Sequence, residues 1–130
     1  MAAKLVHFEV PAKDAQRAKK FYASLFAWKF EDSNIPGVEY YMTKAGGDPG
    51  GAINPMDQKQ RILVYFDTED IDASVRRVRE LGGKADEKMP IPGDGWFSNC
   101  SDTEGNEFGL YKHDPTAQMP QAATATEARS

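Results

Sequence analysis

Shifted by 58 positions, so that residue 5 lies on residue 63, the sequence repeats itself. Leu5, Val6 and Phe8 fall on Leu63, Val64 and Phe66, and Glu9 falls on Asp67. Asp14 lands on Asp72, Ala15 on Ala73 and, far downstream, Gly51 on Gly109. One offset aligns both ends without a gap, the mark of a duplicated supersecondary unit. The repeat implies two modules, about 1–57 and 58–114. At 130 residues the pair together makes one domain of ordinary size.

Each module reads as strand–helix–strand–strand–strand. Val6, Phe8 and Val10 alternate with Leu5, His7 and Glu9, as a half-buried strand does. Ile62, Val64 and Phe66 alternate in the same way with Leu63, Tyr65 and Asp67. In the first module Asp14 is the expected N-cap of a helix whose apolar stripe is Ala15, Ala18, Tyr22 and Leu25. In the second, Ile71, Val75 and Val78 form the stripe and Gly82-Gly83 the stop. Strands are expected at Trp28–Asp32, Val38–Thr43 and Gly51–Asn54, then at Lys84–Lys88, Trp96–Ser101 and Glu107–Lys112. Gly, Pro, Asn and Asp clusters separate them. The predicted class is α+β: two βαβββ modules paired into an eight-stranded, incompletely closed sheet around a cleft, with the helices outside. Val6, Phe8 and Val10 should pack under the helix, leaving His7, Glu9, Tyr65 and Asp67 on the opposite, cleft-lining face.

Bulk chemistry narrows the function. Net charge is −4, which disfavours a phosphate-backbone partner. Arg76-Arg77-Val78-Arg79 reads as the wet side of a helix. Cys100 is the only cysteine, so no intrachain disulfide is available, in keeping with a reducing compartment. Neither a signal peptide nor an apolar run near the roughly 20 residues of a membrane span is visible. The expectation is a cytoplasmic protein without nucleic-acid or membrane partners. From Pro115 to Ser130 the chain is Pro, Ala, Thr and Gln rich, and a disordered tail is expected there.

Four segments carry a family resemblance: His7-Phe8-Glu9-Val10-Pro11, Arg17-Ala18-Lys19-Lys20-Phe21-Tyr22, Leu25-Phe26-Ala27-Trp28 and Gly105-Asn106-Glu107-Phe108-Gly109-Leu110. Together with the doubled βαβββ unit they resemble the vicinal-oxygen-chelate superfamily, which includes glyoxalase I, bleomycin-resistance proteins and extradiol dioxygenases. The resemblance covers about the first 114 residues and is similar in kind to small glyoxalase-related proteins. One departure is Thr103, where the family usually has proline.

The resemblance implies a divalent metal held by four positions, one from the first and one from the fourth strand of each module. Counting from Val10, Thr68 and the Gly105-Asn106 turn, those positions are Leu5, Leu63 and Gly109, and the repeat adds Gly51. Leu and Gly offer no donor to a cation that wants oxygen or imidazole, so no metal and no other cofactor is expected. An alternative is a shifted site built from His7, Glu9 and Glu107.

The resemblance therefore leaves two functions open: binding or sequestering a small organic ligand without metal, or a glyoxalase-related lyase or isomerase. The candidate acid–base residues for the second are His7, Glu9 and Tyr65. Ligand-binding candidates are His7, Tyr65, Trp96, Glu107 and Tyr111. Each has a plainer alternative. His7 is either a site residue or a satisfied polar side chain, and Trp96 is either a lid or the first core residue of its strand. One of Tyr40 and Tyr41 should face inward, but alternation does not say which. Cys100 has no base beside it and reads as a buried thiol. The resemblance also allows a homodimer.

Overall fold

The structure is a computed structural model that describes residues 2–119. It is α+β, with two helices and nine strands among those residues. The chain divides into two compact units, one ending at Phe66 and one beginning at Asp67.

In the first unit the strands are β1 (Leu5–Pro11), β2 (Glu31–Asp32), β3 (Tyr41–Thr43), β4 (Gly50–Asn54) and β5 (Leu63–Asp67), in the order β2-β3-β4-β1-β5. β1 runs parallel to β4 and antiparallel to β5. The helix α1 (Ala15–Phe26) starts where expected, because the Asp14 carboxylate accepts the Arg17 N–H at 3.0 Å. It ends at Ala27, which takes a left-handed conformation (φ 60°) and donates its N–H to the Ala23 carbonyl. Val10, Ala15 and Ile53 form the core beneath α1, with Phe8, Ala18, Tyr22 and Tyr41 packed against them.

Two expectations fail around α1. Leu25 is not on the buried stripe but is 59% exposed. The Tyr22 ring stacks instead on Phe26 at 6.0 Å, although Phe26 is itself 52% exposed. The strand expected from Trp28 begins only at Glu31, and Trp28 joins Phe8, Tyr22 and Phe26 at 5.1–5.6 Å between ring centres. The turn at Ala27 lays the indole back over the helix. Likewise the strand expected from Val38 begins at Tyr41.

The second unit contains α2 (Ile71–Glu80), β6 (Lys84–Ala85), β7 (Met89–Ile91), β8 (Gly95–Ser101) and β9 (Glu107–His113). β8 pairs antiparallel with β9, β6 and β7. Asp70 caps α2 by accepting the Ala73 N–H at 3.0 Å. Ile71, Val75, Cys100 and Leu110 are its core, with Val78, Trp96 and Phe108 against them. β7 is the ninth strand. It lies outside the eight strands expected, and an outer strand tolerates Pro90, which has no N–H for a ladder. The tail expected to be disordered from residue 115 is ordered at its start. Ala117 is 1% exposed and its carbonyl accepts the Gly93 N–H at 2.9 Å. Residues 120–130 of that expectation lie outside the described residues.

Candidate functional site

β1 presents His7 and Glu9 on the face away from α1, because Phe8 and Val10 are drawn into the helix-side core. Antiparallel pairing sets Tyr65 of β5 directly across from His7, and Leu63 across from Glu9. Tyr40, the residue before β3, reaches the same place. Its hydroxyl donates to Glu9 Oε2 at 2.6 Å and lies 2.7 Å from His7 Nε2. Asn54, at the end of β4, sends Nδ2 to Glu9 Oε1 at 3.4 Å. Glu9 thus accepts from two side chains, Tyr40 and Asn54.

This network has a definite proton arrangement. A tyrosine hydroxyl has one hydrogen, and that of Tyr40 points to Glu9. The short contact to His7 therefore needs a hydrogen on Nε2, which puts the lone pair of the neutral ring on Nδ1. Tyr65 is 7% exposed. Burial, reinforced by the neighbouring Glu9 charge, raises the Tyr65 pKa far above the ordinary phenol value. Its proton stays in place at physiological pH. Nearby, Arg61 Nη1 pairs with Asp57 Oδ2 at 2.7 Å. Burial there pushes the Asp57 carboxyl up, but the Arg61 hydrogen bond and charge outweigh it and hold it below its usual value.

Of the sequence candidates, the structure joins His7, Glu9 and Tyr65, and it adds two that pattern reading missed, Tyr40 and Asn54. Tyr41 faces the other way, over Ile53 and under the Lys19 ammonium, 3.8 Å from its ring centre. In the second unit Glu107 and Tyr111 share one face of β9, paired with Ser101 and Phe97. Trp96 is not on that face. It pairs with Lys112, packs into the α2 core and donates Nε1 to Asp114 Oδ2 at 3.0 Å. Of its two readings the core residue is the one the structure supports. The Tyr111 hydroxyl donates to Asp94, and burial first, then that bond, raises its pKa. Cys100 is buried and its thiol is pushed up by that burial.

The register corrects the counting that placed the four metal corners. Gly51 pairs with Phe8, so it lies on the helix side, and a Cβ there would sit 2.4 Å from the Phe8 ring. The β4 residues that share the face of His7 and Glu9 are Gly50, Ala52 and Asn54. A register shift across Val6 also pairs Leu5 with Phe66 instead of continuing the alternation from His7. The supposed corners are therefore not one set on one face. The donors that do share the face are hydrogen-bonded to one another, and no group of three His, Cys, Asp or Glu arranged for a metal occurs among the described residues.

Comparison with known proteins decides the family. Residues 6–111 match the glyoxalase-like domain. A "glyoxylase-like domain-containing protein" of Didymella fabae is 32% identical over 112 residues, spanning 78% of this chain and 88% of that one. The chain belongs to the glyoxalase-like domain family. A Mycobacterium tuberculosis relative, CFP32, named as a candidate glyoxylase, is 32% identical over 115 residues, and this glyoxalase-like domain matches only 43% of its length. Among solved structures, hypothetical protein BH1468 of Bacillus halodurans superposes with a TM-score of 0.69 at 15% identity, covering 92% of this chain and 100% of that one. Methylmalonyl-CoA epimerase of Mycobacterium tuberculosis does so with a TM-score of 0.64 at 17% identity, covering 93% and 91%. At such identities these neighbours establish the vicinal-oxygen-chelate fold and no more. No helix of the described residues is long and apolar enough to cross a membrane.

Proposed function

We propose that this glyoxalase-like domain binds a small organic molecule on the His7–Glu9–Tyr65 face of its first unit, without the metal that the superfamily's enzymes hold. The observation that carries the reading is the pair of hydrogen bonds that Glu9 accepts, from Tyr40 and Asn54. A carboxylate so committed orients its donors and has little left to offer a cation. The aromatic rings beside it, His7 against Tyr40 at 6.2 Å and against Tyr65 at 5.6 Å, suit a ligand with a flat or apolar part and one polar end. The setting is cytoplasmic, with a small molecule and not a nucleic acid as partner.

Acid–base catalysis is the second reading, and the His7–Tyr40–Glu9 relay favours it. A carboxylate acting through a hydroxyl fixes the imidazole tautomer, as an orienting group does for a general base. His7 is then the proton-transfer group and Tyr65 is not. The test pairs metal analysis of the purified chain with calorimetric titration against carbonyl compounds, including an aldehyde–thiol adduct and the methylmalonyl-CoA bound by a structural neighbour. Binding that persists after chelation supports the proposal; a stoichiometric metal whose removal abolishes binding overturns it. His7→Ala separates the readings: an enzyme loses turnover with binding nearly kept, a binder loses only affinity.

A further inference from the structure

The outward side of α1 has chemistry that the β1 face does not use. Arg17, Lys20, Phe21, Ser24 and Leu25 follow the spacing of one helix face and line a shallow, open depression. Phe21 is 58% exposed and Leu25 59%. The helix holds Arg17, Lys19 and Lys20 and no acidic residue, in a chain whose net charge is −4. Lys19 is occupied over the Tyr41 ring. Arg17 has only its own cap residue Asp14, at 3.9 Å with both side chains well exposed, and Lys20 has no ion pair among the described residues.

From this we infer that the α1 face docks an acidic amphipathic segment of a partner protein, a short helix with a Leu or Phe anchor flanked by Asp or Glu. Charge complementarity chooses the occupant. The apolar pair takes the anchor, and the two cations take the flanking carboxylates. A second copy meeting through this same face would set like charge against like. An open depression does not enclose a small molecule, and a planar lipid surface would not fill it. One helix face also falls short of the roughly 1,200 Å² that stable interfaces bury, so the contact is transient.

The experiment titrates the 15N-labelled full chain with a synthetic acidic amphipathic peptide and with its charge-inverted twin, Lys replacing each Glu. Expected are amide shifts confined to residues 17–25 with the acidic peptide. Arg17→Glu/Lys20→Glu should weaken that binding about tenfold and restore binding of the twin, while circular dichroism shows the fold intact. Equal binding of both peptides, or no shift with the acidic one, overturns the proposal. So does flotation with phosphatidylserine vesicles that the double variant loses, which would make lipid the occupant. A dimer that Leu25→Asp dissociates would make it a second copy.

Discussion

His7 and Tyr65 are cross-strand partners in the β1–β5 pair, and they are also images of one another in the sequence repeat. They are the one pair of this register that also stands 58 residues apart, the offset of the repeat. The strand register thus sets two polar aromatics that are also repeat images side by side. One is an imidazole bonded to Tyr40, the other a buried phenol.

Tyr40 is the bridge of that relay. Tyr40→Phe removes the hydroxyl between His7 and Glu9 and leaves both short of a partner, which should cost about 1–3 kcal/mol in denaturant unfolding. The sharper readout is the His7 ring in 15N spectra. Wild type should show the proton on Nε2, and the variant should lose that preference. A wild-type ring protonated on Nδ1 alone would contradict the network.

For Tyr65 the folded pKa lies above the unfolded value near 10, with burial the first cause. The unfolded chain then releases this proton more readily than the folded one. Stability from Tyr65 is therefore full below pH 10 and declines as pH rises beyond it. Tyr65→Phe should flatten the alkaline limb of a stability–pH profile. An ultraviolet titration should find one fewer slow-ionising phenol. If the limb is unchanged, Tyr65 is not buried as described.

Ala27 ends α1 with φ at 60°, where a Cβ crowds the following carbonyl. Ala27→Gly removes that Cβ and should raise stability by about 1 kcal/mol. Urea unfolding measures it, and a loss of stability would mean that the left-handed cap is wrong.

At Gly51 the added Cβ of Gly51→Ala would meet the Phe8 ring. Overpacking there should cost about 1–3 kcal/mol. Phe8→Leu in the same chain should recover part of the loss, giving a non-additive double-mutant cycle. Strict additivity would place Gly51 away from Phe8 and reopen it as a position on the His7 face.

Part of the site was legible in the residue pattern. Alternation alone put His7 and Glu9 together opposite Phe8 and Val10, and the repeat nominated Tyr65. Tyr40 was visible only as one of two adjacent tyrosines. Asn54 gave no sign, because nothing local tells a reader which strand lies beside β1. Trp96 was open between lid and core, and its packing against the α2 core and its bond to the Asp114 carboxylate decide for the core.

What the amino-acid order settled is local in origin: the Asp14 cap, the α2 stripe and the two-faced first strand. Capping and side-chain periodicity act within a few residues, so they can be read without coordinates. The pairing register was settled only by folding. Sliding a strand by one residue turns every side chain to the opposite face. That is why Gly51 stands against Phe8, and why Tyr40 and Asn54, distant in the chain, close around Glu9.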